Sequence, residues 1–180
     1  MARLFGPLLA IGILLLDQIT KYLVTEILFR SALNVGATES FVGWILNPPE
    51  RLGPVTLVLS PFLNLTMVWN SGISFGALGG GMLGDYSNLI LIVGTLVIAA
   101  GFALWMMRSI RVVEIIALAM IVGGALGNLT DRVRFGAVID FLDFYWENAH
   151  FPAFNVADAS ISIGVALLLI HGLFFAKDTG

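Results

Sequence analysis

The feature that most constrains this chain of 180 residues is a set of four apolar stretches, each close to the length of a membrane-spanning helix. A helix that crosses the hydrocarbon core of a bilayer needs about 20 apolar residues in a row. The stretches cover about 4–29, 88–107, 112–129 and 158–176, and the second contains no charged residue. We therefore predict an all-α membrane protein in which four transmembrane helices form a single integral membrane domain over residues 1–180.

The composition agrees with a bilayer location and excludes several functional classes. Charged residues make up 12% of the chain, about half the share found in soluble domains. A net charge of -3 provides no basic surface for nucleic acid, so no nucleic-acid partner is expected. The chain has no Cys and only two His, His150 and His171, which excludes disulfides, thiolate nucleophiles and an HExxH zinc site. We expect neither a metal nor another cofactor.

The first apolar stretch shares one feature with secretory signal peptides, because the basic residue Arg3 precedes an apolar run. A signal peptide would end in a cleavage site made of small residues. The sequence continues instead with Asp17-Gln18-Ile19-Thr20-Lys21. We therefore predict that this stretch is a permanent helix.

Two long connections join the predicted helices, at about 30–87 and 130–157. The first connection contains four prolines, which prevent a long helix. Its runs 55–59 and 63–69 are rich in residues that favour β-strands. We predict a small β-rich extracytoplasmic segment between helices one and two.

An even number of spans places both termini on one side of the membrane and both long connections on the other. Ten of the twelve acidic residues then fall on the side of the long connections. The basic residues Arg3, Arg108 and Arg111 on the opposite side favour cytoplasmic termini. Most of the unusual polar residues therefore lie together at the extracytoplasmic face.

Two polar groups of that face lie at the ends of helices one and three. Asp17 and Lys21 are four residues apart on one helical face and can form an ion pair, either for function or for helix packing. Asn128, Asp131 and Arg132 follow a glycine-rich stretch that permits another helix to approach closely. Close packing explains the glycines but not the grouped polar residues.

The remaining polar candidates precede or begin helix four. Asn155 and Asp158 lie at its start, where such residues commonly cap a helix and where the helix dipole stabilises an anion. Asp140 lies in an apolar run of the second long connection. Hydrolysis at this face would use two carboxyl groups, one ionised to activate water and one protonated to donate to a carbonyl oxygen. Lys21 is the other base available at this face, where it would activate a Ser nucleophile.

Five motifs, in order along the chain, resemble those of lipoprotein signal peptidase, the signal peptidase II family. They are Asp17-Gln18-Ile19-Thr20-Lys21, Asn70-Ser71-Gly72-Ile73-Ser74-Phe75, Gly123-Gly124-Ala125-Leu126-Gly127-Asn128-Leu129-Thr130-Asp131-Arg132, Val138-Ile139-Asp140-Phe141 and Phe151-Pro152-Ala153-Phe154-Asn155-Val156-Ala157-Asp158. Each motif alone is weak evidence, but five in the same order on a four-helix chain are specific. The resemblance covers nearly the whole chain.

The resemblance implies an aspartic endopeptidase of the bacterial inner membrane, with cytoplasmic termini and an extracytoplasmic active site. Members of this family remove the signal peptide from diacylglyceryl-modified prolipoproteins and cut just before the lipidated Cys. The partners implied are these substrates and the membrane lipids, together with inhibition by globomycin-like cyclic peptides. We expect the protein to be a monomer.

By resemblance, the catalytic pair corresponds to Asp140 and Asp158, and Asp131 is the other candidate partner. We expect Asp158 to supply the base more often, with Asp140 as the protonated partner, although the roles can exchange during turnover. The residues that would bind substrate, orient the pair or support the site are Asp17, Lys21, Asn70, Gly72, Asn128, Asp131, Arg132 and Asn155, with Asp131 ranked as shaping the site together with Arg132.

Two segments depart from the family's pattern. The segment 30–60 is longer than in many members, and Ile73-Ser74 stands where small residues are more usual.

Two other functions are open. A small proton-coupled transporter or channel could use the same carboxylates as a relay, although a relay should place ionisable groups at several depths of the membrane. A non-enzymatic assembly scaffold would keep its function when the acids are neutralised.

Overall fold

The computed structural model describes residues 2–36, 39–72 and 82–175. Within these ranges, four helices are long and apolar enough to cross a membrane. They cover Leu4–Leu33, Tyr86–Arg108, Val112–Phe135 and Val156–Phe174. The predicted set of four apolar helices is confirmed, and it is consistent with a multi-pass membrane protein. Ile73, Ser74 and Phe75 of the second motif, and residue 176 at the predicted end of helix four, lie outside the described residues.

The helices extend beyond several of the predicted ends. Helix α1 covers Ala2–Tyr22 and continues through a π-helical segment, Leu23–Phe29, into α2, Arg30–Leu33. The other helices are α3 (Phe41–Leu46), α4 (Met82–Arg108), α5 (Val112–Phe135) and α6 (Val156–Phe175). Because α5 continues past residue 129, Asp131 and Arg132 belong to the helix and not to the connection after it.

The first helix widens directly after Lys21. The Thr25 hydroxyl donates to the Lys21 carbonyl at 2.8 Å, and the Arg30 N–H reaches back five residues to the Thr25 carbonyl. Such π-helical segments occur often at functional sites because they change the direction of the side chains that follow. The helix ends at Asn34, whose φ of 54° is left-handed.

The chain divides into two compact units. The first comprises Met1–Asp17, Ile92–Leu129 and Val156–Gly180, and the second comprises Gln18–Leu91 and Thr130–Asn155.

Close helix packing at glycines builds the first unit. A Cβ atom added at Gly123 would lie 2.5 Å from the carbonyl oxygen of Ala10, and one added at Gly124 would lie 2.5 Å from that of Ala157. Helix α5 therefore packs directly against the backbones of α1 and α6, as the glycine-rich stretch predicts. Leu118 of α5 is fully buried in the apolar core of this unit.

A four-stranded antiparallel sheet lies in the second unit, in the order β1-β2-β3-β4. Its strands are β1 (Thr56–Ser60), β2 (Leu63–Asn70), β3 (Val138–Trp146) and β4 (Ala149–His150). Strands β1 and β2 confirm the two predicted β-prone runs. The sequence analysis missed β3 and β4, because β3 is a mostly buried central strand without regular alternation of apolar and polar residues. The sheet thus takes strands from both long connections. The prediction of an all-α protein with a small β-rich segment between helices 1 and 2 is therefore too narrow, because it omits the strands of the second connection.

The short helix α3 lies in the segment whose structure the sequence left open. The Ser40 hydroxyl caps its start by accepting from the Gly43 N–H at 3.0 Å. Trp44 of α3 is buried, and the Arg134 guanidinium lies over its ring at 4.1 Å. This cation–π contact fastens α3 to the end of α5 within the second unit.

Candidate active site

Asp140 lies on β3 and is 1% exposed. Asn155 donates from Nδ2 to its Oδ1 at 2.7 Å, and Asn70 donates from Nδ2 to its Oδ2 at 2.9 Å. Strand register explains the second contact, because Asp140 pairs with Val68 and Asn70 is the diagonal neighbour on the same face. Each carboxyl oxygen of Asp140 therefore accepts from a neutral amide.

Gly72 fixes the orientation of one of these amides. Its N–H donates to the Asn70 Oδ1 at 2.9 Å, so the opposite end of that amide, Nδ2, faces Asp140. The turn requires a φ of 89° at Gly72, which a residue with a Cβ rarely adopts. Gly72 was predicted to support the site, and its contact with Asn70 gives that prediction a physical reason, because it orients an amide that donates to Asp140.

Asp131 is fully buried and accepts three contacts within the second unit. Lys21 places its Nζ 2.6 Å from Oδ2, Gln18 donates to Oδ1 at 3.0 Å, and the Ile139 N–H donates to Oδ2 at 3.1 Å. The carboxylate thus connects the end of α1 to the residue that precedes Asp140. As the counter-ion of a buried lysine, Asp131 is suited to shaping the site.

Asp17 is fully buried in the first unit and caps helix α6 from a different helix. Its Oδ1 accepts from the Ala157 N–H at 3.0 Å, near the start of α6. Gly127 leaves the space for this carboxylate, because a Cβ there would lie 2.5 Å from Asp17 Oδ2. Asn155, which the sequence suggested as a cap of this helix, donates from Nδ2 to Asp140 and to the Ile139 carbonyl.

Asp158 lies in the first turn of α6 and is partly buried. Asn128 of α5 donates from Nδ2 to its Oδ1 at 2.7 Å. The positive end of the α6 dipole favours a negative charge at this position. Asp158, like Asp140, therefore accepts a hydrogen bond from the neutral amide of an Asn side chain. Asp158 is more exposed than Asp140.

The sequence analysis assigned no role to the amide side chains of Gln18 and Asn88. Gln18 was part of a quoted motif but received no role, although it is buried and bridges Asp131 and Arg134. Asn88 donates to the Arg132 carbonyl at 3.2 Å, which fastens the start of one membrane helix to the end of another. An amide inside an otherwise apolar helix is the signal that could have identified Gln18.

Another polar cluster lies on the sheet, three residues beyond Asp140. Asp143 accepts from Asn64 Nδ2 at 3.0 Å and contacts His150 Nδ1 at 2.9 Å. Burial acts to raise the pKa of Asp143, but the hydrogen bonds from Asn64, His150 and Thr66 and the charge of His150 outweigh it. The pKa of this carboxyl is therefore lower than its ordinary value.

The structure thus groups the predicted residues within each unit. The second unit brings together Lys21 with Asp131, and Asp140 with Asn70, Gly72 and Asn155. The first unit brings together Asp17 with Gly127 and the start of α6, and Asp158 with Asn128. The pairing of Asp140 with Asp158 stays a prediction. Among the described residues, no group of three or more His, Asp or Glu side chains could hold a metal ion.

Comparison with known proteins gives consistent results. A family model described as signal peptidase (SPase) II matches residues 9–174. A lipoprotein signal peptidase of Sphingopyxis alaskensis is 38% identical over 178 residues, which are 98% of this chain and 89% of the relative. A lipoprotein signal peptidase of Acinetobacter baumannii strain SDF is 43% identical over 145 residues, 78% of this chain and 79% of the relative.

Two solved structures share the fold. Both are described as bacterial membrane enzymes, determined by the in meso method at 2.3 and 1.9 Å resolution. The first has a TM-score of 0.67 and 26% identity and covers 98% of this chain and 92% of that one. The second has a TM-score of 0.67 and 28% identity and covers 97% of this chain and 94% of that one.

Proposed function

The chain belongs to the signal peptidase II family, and from that membership we propose that it removes the signal peptide from diacylglyceryl-modified prolipoproteins. The cut falls just before the lipidated Cys. The family is one of peptidases, and its curated relatives are lipoprotein signal peptidases. A transporter or channel is therefore not favoured.

The catalytic groups of the proposal are Asp140 and Asp158. One observation carries this choice: each of them accepts hydrogen bonds from the amides of Asn side chains, which orient its carboxyl group. An amide positions a carboxyl group and leaves it able to gain or lose a proton, whereas a buried lysine such as that beside Asp131 holds its partner as a counter-ion. Asn155, which donates to Asp140, precedes Asp158 by only three positions in the chain.

The proposed reaction needs one carboxylate and one carboxylic acid. Asp158, at the start of α6, accepts a proton from water, and the oxygen of that water attacks the carbonyl carbon of the scissile bond. Asp140 donates its proton to the carbonyl oxygen. When the intermediate collapses, Asp140 recovers this proton, the C–N bond breaks, and Asp158 delivers its proton to the amine of the departing lipidated Cys.

The proposed location follows from the substrate. Transfer of a diacylglyceryl group out of the bilayer costs about 0.8 kcal/mol for each methylene, so the bond must be cut at the membrane interface. We place the site at the extracytoplasmic face of the bacterial inner membrane, with both termini in the cytoplasm. The active form is a monomer, and globomycin-like cyclic peptides inhibit it.

The test compares Asp140→Asn and Asp158→Asn with Asp143→Asn, which makes the same chemical change three residues along β3. Each protein is reconstituted in liposomes with a diacylglyceryl-modified prolipoprotein or its unmodified form, and cleavage is followed by gel shift. Loss of a general acid or base should lower kcat at least about a hundredfold, while the Asp143 variant stays active.

Folding is checked by circular dichroism and by the thermal midpoint. Near-normal turnover by a folded Asp140 or Asp158 variant would refute the catalytic pair. Equal cleavage of the unmodified prolipoprotein would refute the proposed substrate. Absence of cleavage by the wild type as well as by both variants would point to the scaffold alternative, in which the protein has no enzymatic activity.

A further inference from the structure

A cavity lies wholly within the first unit, beside the turn that joins α4 to α5. It has a volume of about 460 Å³, within the range of roughly 300 to 1,000 Å³ that is typical of ligand pockets. Gly6 of α1, Met106 of α4 and Ile115 of α5 provide apolar lining. Arg108 and Ser109 provide its polar lining.

Arg108 carries the unbalanced positive charge of this cavity. It is exposed, and within the described part of the chain it has neither a hydrogen bond nor an ion pair through its side chain. The other arginine of the turn, Arg111, contacts Glu114 at 3.7 Å and His171 at 3.3 Å. Glu114 also accepts from the Ser109 hydroxyl at 2.5 Å, so the acid of this turn is already engaged.

The apolar lining distinguishes a lipid from a free anion. Ile110, in the turn, lines the cavity and is 92% exposed, and Met106 and Ile115 are buried side chains of the adjoining core. A soluble phosphate would leave the exposed Ile110 side chain in water, whereas the glycerol and upper acyl chain of a lipid would cover it. A guanidinium binds phosphate through two parallel hydrogen bonds.

We propose that this cavity binds the head group of an anionic phospholipid from the adjacent leaflet. The phosphate lies on Arg108, and the glycerol and first methylenes lie against Met106, Ile110 and Ile115. Basic cavities between membrane helices recognise anionic lipid head groups by this combination of charge and apolar lining. The site is separate from Asp158 and Asn128, which lie at the opposite ends of α6 and α5, so the proposal does not depend on the peptidase mechanism.

The test measures lipid binding by the purified full chain in a nonionic detergent. Native mass spectrometry follows titration with dioleoylphosphatidylglycerol or with dioleoylphosphatidylcholine. The wild type should bind the anionic lipid more tightly. Arg108→Gln should weaken this binding about fivefold or more, which is the effect of one basic residue near an anionic lipid.

Arg111→Gln is the matched control, because it removes the same charge from the same turn. Its effect should be smaller, since Arg111 is already paired with Glu114. Equal losses in the two variants would show a general attraction to the basic turn and would overturn the site. Equal affinity of the wild type for the two lipids would overturn it as well, as would effective competition by free glycerol 3-phosphate, which would indicate a soluble ligand.

A measurement on the wild type keeps the proposal testable if Arg108→Gln does not fold. A photoreactive phosphatidylglycerol is cross-linked in liposomes, and the labelled peptide is identified by mass spectrometry. Labelling should concentrate on the peptide that contains 106–115. Labelling spread evenly over the helices would refute a specific site, and unchanged lipid binding by a folded Arg108→Gln variant would refute the proposed contact between the phosphate and Arg108.

Discussion

Lys21→Met should destabilise the fold strongly, because it leaves a buried carboxylate without its cation. Lys21 and Asp131 are both fully buried, and their charged atoms lie 2.6 Å apart. Breaking a buried ion pair by removing one partner costs about 3–5 kcal/mol. The remaining donors to Asp131, from Gln18 and from the Ile139 N–H, are neutral and compensate only in part.

The matched control is Arg111→Gln, which breaks an ion pair whose side chains are 34% and 20% exposed and whose charged atoms lie 3.7 Å apart. Such a pair contributes about 0–1 kcal/mol. Unfolding of both variants is measured in mixed micelles by titration with sodium dodecyl sulfate. The single variant Asp131→Leu and the double variant Lys21→Met with Asp131→Leu, which replaces both charges, complete the thermodynamic cycle.

The double variant should be more stable than Lys21→Met alone, because the Asp131 carboxylate is no longer left in the interior without the lysine. The peptidase activity of the double variant should stay low, since the Ile139 N–H loses its acceptor directly before Asp140. Two results would refute this reasoning. One is a cost for Lys21→Met no larger than for the exposed control, and the other is additivity of the two single changes.

Three further predictions concern the site and its surroundings. Asn155→Ala removes an amide donor to Asp140 and should lower kcat about tenfold or more, because Asp140 becomes an anion when its proton passes to the carbonyl oxygen, and a hydrogen bond to a charged group contributes about 1.5–3 kcal/mol. Gly127→Ala places a Cβ 2.5 Å from Asp17 Oδ2 and should lower stability by about 1–3 kcal/mol through overpacking, measured as the thermal midpoint. The lowered pKa of Asp143 stabilises the fold fully above its unfolded pKa of about 3.9, and this contribution is lost as the pH falls through the folded pKa. The stability advantage over Asp143→Asn should therefore shrink below about pH 4.

Each of these predictions has its own contrary result. For Asn155, unchanged kcat with a raised KM would indicate a role in substrate binding alone. For Gly127, the control is Gly101→Ala in α4, where a Cβ would meet no atom within 4 Å, and equal effects of the two changes would contradict the steric explanation. For Asp143, a stability difference that stays constant down to pH 3 would contradict the contribution of its hydrogen bonds.

The sequence predicted the helices well because their signal is local. Apolar runs of about 20 residues define a membrane span without reference to the rest of the chain, and the structure has four such helices among its described residues. Strands β1 and β2 were predicted for the same reason, from β-prone runs separated by a turn. Strand β3 was missed, because its partner β2 lies in a distant part of the sequence and its own pattern does not alternate regularly.

The candidate site shows where local patterns reach their limit. Asn155 stands three positions before an acid at a helix start, which is typical of a capping residue. Its Nδ2 donates to Asp140, and the N–H of Ala157 donates to Asp17, 140 positions away, two contacts that the local pattern does not indicate. The i,i+4 spacing of Asp17 and Lys21 suggested a pair, but no local spacing could indicate the buried ion pair that Lys21 forms with Asp131.

The sequence by itself determined the class of protein, through its hydropathy and through the five motifs that identify the signal peptidase II family. Only the tertiary structure decided which polar group each of those motif residues contacts. The physical reason is the range of the interactions. Hydropathy and helix periodicity act within a few residues, whereas a buried carboxyl group accepts hydrogen bonds from whatever donors the chain path brings to it, such as Asn70, 70 positions before Asp140.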